Sequence, residues 1–247
     1  MQIELSGKVA IVTGSTRGIG RAIAQAFIAA GASVVVSSEN EIETGDIAAM
    51  IGAHGIACDV TKPMALAALV HSTVEHFGGL DILICNAGIT DSRERNTVEE
   101  FDRIMAVNLR SQVALTQLAL PHLEAQKGSV ILVSSIGGIR GNAAINSYAL
   151  AKAGVAQLAR NIAVQWGPKG VRANSISPGL IKTELVAHLP KGAEFMQRRL
   201  QMTPLRRMGE VDEIAGAAVF LGSAAGSFMT GQTIVIDGGV LAGSPSR

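Results

Sequence analysis

The chain's strongest constraint is a junction near its start. A β-branched apolar run at residues 8–13 (KVAIVT) passes directly into Gly14-Ser-Thr-Arg-Gly18-Ile-Gly20, and residues 21–30 are rich in alanine and other helix formers. Buried strand, glycine turn and helix in immediate succession is the start of a β-α-β unit. Glycines let the backbone turn tightly and approach a ligand, and the unpaired amides of the following helix attract phosphate. The spacing is Gly-x-x-x-Gly-x-Gly, which differs from the commoner Gly-x-Gly-x-x-Gly dinucleotide fingerprint.

The same alternation continues along the chain. Residues 33–37 (SVVVS) read as a second strand, 55–58 as a short third ending at Asp59, and 81–85 (DILIC) as a fourth running into Asn86-Ala87-Gly88. Helical patterns fill the gaps, notably at 64–77. A long helical stretch over 98–126, bent around Asn108, leads to a fifth strand at 129–134 that delivers Ser135. A second long helix is expected over 146–166, a sixth strand at 171–177 ending at Pro178-Gly179, and a seventh at 232–236 ending at Asp237-Gly238-Gly239. Between the last two strands lie an irregular stretch at 180–210 and a helix at 211–222, and so long an insertion usually forms a lid or binding loop. Alternating strands and helices predict an α/β fold with a parallel sheet covered on both faces. Without a linker or repeat the chain, 1–247, reads as one domain. Right-handed crossovers place ligands beyond the carboxyl ends of the strands, where the glycine turn, Asp59 and Asn86-Ala87-Gly88 all fall.

Chemistry is concentrated in residues 135–152, SIGGIRGNAAINSYALAK. Tyr148 and Lys152 are four apart, so a helix starting near Asn146 sets them on one face, about 5–6 Å apart at Cβ. A free phenol has a pKa near 10 and is a poor acid or base at neutral pH. A nearby ammonium favours the phenolate and turns the tyrosine into a general acid/base. Tyr148 is the only tyrosine in the chain.

Composition narrows the rest. Lys plus Arg number 21 against 20 Asp plus Glu, so no net field selects nucleic acid or an anionic membrane. No apolar run is long enough to span a bilayer and the start lacks a secretory pattern, which makes a cytoplasmic location the default expectation. Cys58 and Cys85 each end an apolar run and read as small buried hydrophobes. The histidines at 54, 71, 76, 122 and 188 show no metal-ligand spacing, so no metal is expected.

With these pieces placed, the chain resembles the short-chain dehydrogenase/reductase family from about residue 5 to 240. The resemblance rests on TGSTRGIG at 13–20, Asp59, NAG at 86–88, Asn108, Ser135, Tyr148 with Lys152, PG at 178–179 and DGG at 237–239. It implies a Rossmann-type doubly wound sheet of seven parallel strands and a homotetramer built on the two long helices and the chain end. It implies that Tyr148 passes a proton to or from the substrate oxygen while hydride moves between substrate and nicotinamide. Ser135 would donate a hydrogen bond to the same oxygen, Lys152 would tune the tyrosine and hold the ribose, and Asn108 would anchor a water leading to Lys152. Cofactor contacts would come from Gly14, Ser15, Arg17, Gly18, Ile19 and Gly20. Ser38, Glu39, Asp59 and Val60 would lie near the adenosine, Asn86, Ala87 and Gly88 near the sugars. Pro178, Gly179, Ile181 and Thr183 would lie near the carboxamide. Asn142 and Leu185 would touch substrate.

The cofactor is NAD or NADP, with a lean to NAD. Ser38 stands where NAD-using members usually carry an aspartate, and its neutrality permits a 2′-phosphate. Glu39 argues the other way. The apolar residues between 180 and 205 suggest a small-molecule secondary alcohol or ketone, and a 3-oxoacyl thioester is one candidate. Rival functions are an epimerase or dehydratase on the same scaffold, or a non-catalytic dinucleotide-binding protein.

Overall fold

The structure, a computed structural model, describes residues 3–90, 97–141, 145–184 and 193–243. Seven strands form one parallel sheet: β1 (Val9–Thr13), β2 (Ser33–Ser37), β3 (His54–Gly55), β4 (Ile82–Cys85), β5 (Ser129–Val133), β6 (Arg172–Pro178) and β7 (Thr233–Ile236). Their spatial order is β3-β2-β1-β4-β5-β6-β7. The sequence runs outward from β1 in one direction, then returns to begin again at β4, so the β1/β4 boundary is the switch point where the crossovers diverge and leave a crevice.

The helices are α1 (Gly18–Ala29), α2 (Glu41–Ile51), α3 (Pro63–Phe77), α4 (Val98–Met105), α5 (Ser111–Gln126), α6 (Asn146–Trp166), α7 (Ala193–Gln201) and α8 (Val211–Gly222). The strands alternate their side chains between two cores. Val12 and Ile84 join Ile23 and Phe27 of α1 and Ile214 and Leu221 of α8 on one face. Ile11, Leu83 and Leu132 join Leu69 of α3, Leu115 of α5 and Val155 of α6 on the other. A sheet covered on both faces explains why its strands read as continuous apolar runs.

Three sequence expectations are adjusted. The third strand is His54–Gly55, earlier than 55–58, although the amides of Ile56 and Cys58 still donate to the carbonyls of Val36 (3.0 Å) and Ser38 (2.7 Å). The chain therefore follows β2 to its end as an irregular extension of the ladder. The expected bend at Asn108 is a π-helical turn, Ala106–Arg110, inserted between α4 and α5. Within the stretch read as irregular, residues 193–201 form α7, where the Arg199 guanidinium lies 5.4 Å from the Phe195 ring centre.

Candidate active site

The glycine turn and the segment after β4 are built against each other across the switch point. Asn86 Nδ2 donates to the carbonyls of Thr13 (3.0 Å) and Gly14 (2.9 Å), and the Thr13 hydroxyl accepts from the amides of Asn86 (3.1 Å) and Ala87 (3.2 Å). That closeness dictates glycine at two positions. Gly14 has φ +62, and a Cβ there would stand 2.8 Å from Ala87 Cα; a Cβ on Gly20 would stand 2.3 Å from the Gly14 carbonyl oxygen. Arg17, the N-cap of α1, makes no side-chain capping hydrogen bond, so the amides of the first turn face the crevice unmet by their own helix.

The crevice is a cavity of about 370 Å³. It is lined by Gly14, Arg17, Gly18 and Ile19 of the glycine turn, by Ser38, Glu39 and Val60 after β2 and β3, and by Asn86, Ala87, Gly88 and Thr183. Thr16, Cys58, Ile89, Val107 and Glu184 also line it, and sequence reasoning missed them. Ile89 and Glu184 directly follow recognised motif residues, so extending each motif by one position would have found them. Glycines in the lining and the open amides at the start of α1 fit the phosphates of a dinucleotide. Arg17 Nη1 stands 3.9 Å from Glu184 Oε2, with both side chains exposed.

Ser135, Tyr148 and Lys152 come together beside Gly88, which lines the crevice, although none of the three lines the cavity itself. Ser135 leaves β5 in extended conformation, and its hydroxyl oxygen accepts from the Gly137 amide at 3.0 Å. The following turn lies flat on α6: a Cβ on Gly138 would stand 2.6 Å from the Ala153 nitrogen. A Cβ on Gly137 would lie 3.4 Å from Ser135 Oγ and 3.7 Å from Tyr148 Cε1, so hydroxyl and phenol ring flank one point. Lys152 Nζ lies 5.6 Å from the Tyr148 ring centre and donates to the Val133 carbonyl at 2.7 Å. Lys152 is 3% exposed; burial lowers its pKa to about 8, against a smaller opposing influence from Cys85. Asn108, fully buried, accepts from the Ile89 amide (2.8 Å) and donates to the Ile89 carbonyl (2.7 Å) through its side chain. That pairing holds the segment after β4 against the π-helical turn. A Cβ on Gly88 would lie 3.4 Å from Asn108 Oδ1 and 3.5 Å from Lys152 Nζ.

Several expected cofactor residues stand back from the cavity. The Ser15 hydroxyl is turned under the loop, donating to the Val12 carbonyl (2.6 Å) and accepting from the Ser37 amide (2.9 Å). Its role is to tie the glycine turn to β2, which burial of a small hydroxyl beneath the turn requires. The Asp59 carboxylate accepts from the hydroxyl (2.7 Å) and amide (2.9 Å) of Thr61, which hold its pKa below the usual range. Gly179 packs on Asp237, where a Cβ would stand 2.6 Å from its Cα, and Pro178 ends β6 beside Ile236. Ile181 is buried in a bridge with Gly209. Asn142 and Leu185 lie outside the described residues. Among the described residues no group of three or more His, Cys, Asp or Glu is placed to hold a metal ion, and no helix is long and apolar enough to cross a membrane.

Comparison with known proteins agrees with this geometry. A family model described as Enoyl-(Acyl carrier protein) reductase matches residues 14–241. The 7alpha-hydroxysteroid dehydrogenase of Escherichia coli is 38% identical over 244 residues, covering 96% of this chain and 95% of that protein. The 3-oxoacyl-(acyl-carrier-protein) reductase of Vibrio cholerae is 37% identical over 243 residues, covering 96% and 99%. Among solved structures, a short-chain type dehydrogenase/reductase from Mycobacterium marinum superposes with a TM-score of 0.91 at 36% identity, covering 98% of each chain. A 7 alpha-hydroxysteroid dehydrogenase complexed with NADH and 7-oxo glycochenodeoxycholic acid does so at 0.91 and 37%, covering 96% of this chain and 95% of its own. The chain belongs to the short-chain dehydrogenase/reductase family and is an NAD(P)-dependent oxidoreductase of the CH–OH/C=O class.

Proposed function

We propose that this enzyme interconverts a secondary alcohol and its ketone on a largely apolar skeleton, using NAD(H), with Tyr148 as the proton donor and acceptor. The observation that carries the reading is the buried Lys152 ammonium 5.6 Å from the ring of the Tyr148 phenol, with the Ser135 hydroxyl flanking the same point as that ring. The bound nicotinamide supplies or accepts the hydride. Ser135 donates its hydroxyl proton in a hydrogen bond to the substrate oxygen, which favours the charge developing there. Tyr148 gives its phenolic proton to that oxygen in reduction and takes it back in oxidation. Lys152 favours the phenolate by its positive charge, and Asn108 holds the Gly88–Ile89 backbone in place beneath the site. Gly14, Gly18, Gly20 and the amides of α1 receive the pyrophosphate, and Asn86 holds the turn in shape for it.

The preference for NAD(H) rests on charge. Three charged side chains line the cavity among the described residues: Arg17, Glu39 and Glu184. Glu39 at the end of β2 suits ribose hydroxyls as an acceptor and repels a 2′-phosphate, while Arg17 is already beside Glu184. Ile89 and Val107 of the cavity support an apolar substrate, in keeping with relatives named for steroid and 3-oxoacyl substrates. A homotetramer and a cytoplasmic location follow the family resemblance, and sedimentation equilibrium measures the first.

The test is a ketone and alcohol panel run with both dinucleotides, followed by Tyr148→Phe on the best pair. A higher kcat/KM with NADH, and loss of turnover in the variant by about 10²–10⁴-fold with dinucleotide affinity retained, is the expected result. Preference for NADPH overturns the cofactor choice, and an active variant overturns the role of Tyr148.

A further inference from the structure

A carboxylate outside every recognised motif stands at the dinucleotide cavity. Glu184 lines it together with Arg17 and Glu39, the other charged side chains of the lining among the described residues. The chain just before Glu184 fixes its place. Ile181 bridges Gly209: the Lys182 amide donates to the Gly209 carbonyl and the Gly209 amide to the Leu180 carbonyl, both at 2.9 Å. The Lys182 ammonium pairs with the carboxylate of Glu210, the N-cap of α8. Thr183 then lies on the glycine turn, where a Cβ on Gly18 would stand 3.5 Å from Thr183 Cγ2. One residue further on, Glu184 Oε2 comes within 3.9 Å of Arg17 Nη1.

The charge balance is an odd one for a site that receives an anion. One arginine against two glutamates leaves the described lining with a formal excess of negative charge. Arg17 and Glu184 are both exposed, so their attraction for each other is weak, and their weight lies in what each does to a third charge. Every nicotinamide dinucleotide brings its pyrophosphate, which the open amides of α1 can meet. The 2′-phosphorylated form adds a phosphomonoester of about −1.5 to −2 charge at pH 7. Glu184 repels that added charge, and the one cation of the described lining is already beside a carboxylate.

We propose that Glu184 is a specificity-determining residue: as the resident counter-ion of Arg17, it withholds that guanidinium from a 2′-phosphate and so favours NAD(H) over NADP(H). The inference rests on the reading of this cavity as the NAD(H) site. Glu39 and Glu184 reach the same end by different means. Glu39 acts by its own charge at the end of β2, whereas Glu184 acts through Arg17 from the chain after β6. The bridge of Ile181 to Gly209 makes this possible, because it holds the carboxylate against the glycine turn. Neutralising Glu184 therefore does two things at once: it removes a repelling charge and releases a cation to the cavity. Both changes favour the more highly charged dinucleotide.

The test is the Kd of NAD⁺ and of NADP⁺ by isothermal titration calorimetry in wild type, Glu184→Gln, Arg17→Ala and the double variant. Both side chains are exposed, and thermal midpoints check that each variant is folded. Glu184→Gln is expected to shift the affinity ratio toward NADP⁺ by about three- to fivefold at low salt, the range open to a pair this exposed. The shift should shrink at about 1 M salt, where the Debye length is about 3 Å. In the Arg17→Ala background the same substitution should move the ratio little. An unchanged ratio, equal gains for the two dinucleotides, or a full shift without Arg17 overturns the proposal. A wild type that binds neither dinucleotide rejects the reading of the cavity instead. A wild type that prefers NADP⁺ rejects the choice of NAD(H), and the ratio in Glu184→Gln against that wild type still decides the role of Glu184. A wild type that prefers NAD⁺ with an unmoved ratio in Glu184→Gln rejects the role of Glu184 alone.

Discussion

Lys152 Nζ lies 5.6 Å from the centre of the Tyr148 ring while donating to the Val133 carbonyl at 2.7 Å. The carbonyl at the end of β5 thus fixes where the ammonium stands, and helix α6 fixes where the phenol stands. Helical spacing brings the two side chains to one face, but the sheet beneath sets their separation. The Ser134 hydroxyl donates to the Lys152 carbonyl at 2.6 Å and pins the same turn of α6 to the same strand.

Burial lowers the Lys152 pKa from 10.5 to about 8, so between those values the unfolded chain carries a proton that the folded one has released. Unfolding free energy therefore gains from this group as pH rises through that window, by up to about 1.4 kcal/mol per pH unit. Urea titrations of the protein without cofactor at pH 7, 8 and 9 should show this rise, and Lys152→Met should lack it. Equal slopes in both proteins would contradict the burial of this charge.

The two cysteines act with the opposite sign. Burial raises Cys58 to about 11 and Cys85 to about 12 from an ordinary 9.0, so their contribution is intact below pH 9 and is lost as pH climbs through 11. At pH 8 a disulfide reagent should modify Cys85 of the native enzyme very slowly, and both thiols promptly in denaturant. Cys58 lines the dinucleotide cavity, so NADH should slow its modification further. Rapid labelling of native Cys85 would contradict its placement.

Gly20→Ala forces a methyl group to within 2.3 Å of the Gly14 carbonyl oxygen and 2.4 Å of Asn86 Nδ2. The turn must open and the Asn86 bridge must break. A stability loss of about 1–3 kcal/mol in urea is expected, together with a rise in NADH Kd by fluorescence titration. Wild-type affinity in this variant would show that the close packing of turn and helix is dispensable.

Replacing Glu39 by arginine exchanges a repelling carboxylate for a phosphate-binding cation at the end of β2. The ratio of kcat/KM for NADPH over NADH should rise at least about tenfold, equivalent to about 1.4 kcal/mol. An unchanged ratio would place the ribose elsewhere in the cavity.

Much of the architecture is legible along the chain. Strand β2 and helices α6 and α8 have the bounds that apolar runs and helical periodicity predict, because both patterns are local. Motif order likewise places Ser135, Tyr148 and Lys152 in one neighbourhood. The third strand falls earlier than its apolar run because a two-residue edge strand carries too little pattern, and α7 escapes notice in a stretch whose residues 180–210 show no clear period.

What the chain alone determined is the alternation of strand and helix and the identity of the residues at the strand ends, since these depend on neighbours a few positions apart. Packing decided which of those residues face a ligand. Ser15 and Asn86 sit in recognised motifs, yet their side chains spend hydrogen bonds on Val12, Ser37, Thr13 and Gly14. Gln112 belongs to no motif, yet its side chain is buried and donates to the Asn108 carbonyl at 3.0 Å. The physical reason is that burial and hydrogen-bond partners are set by elements remote in the chain, brought together only when the helices close on both faces of the sheet.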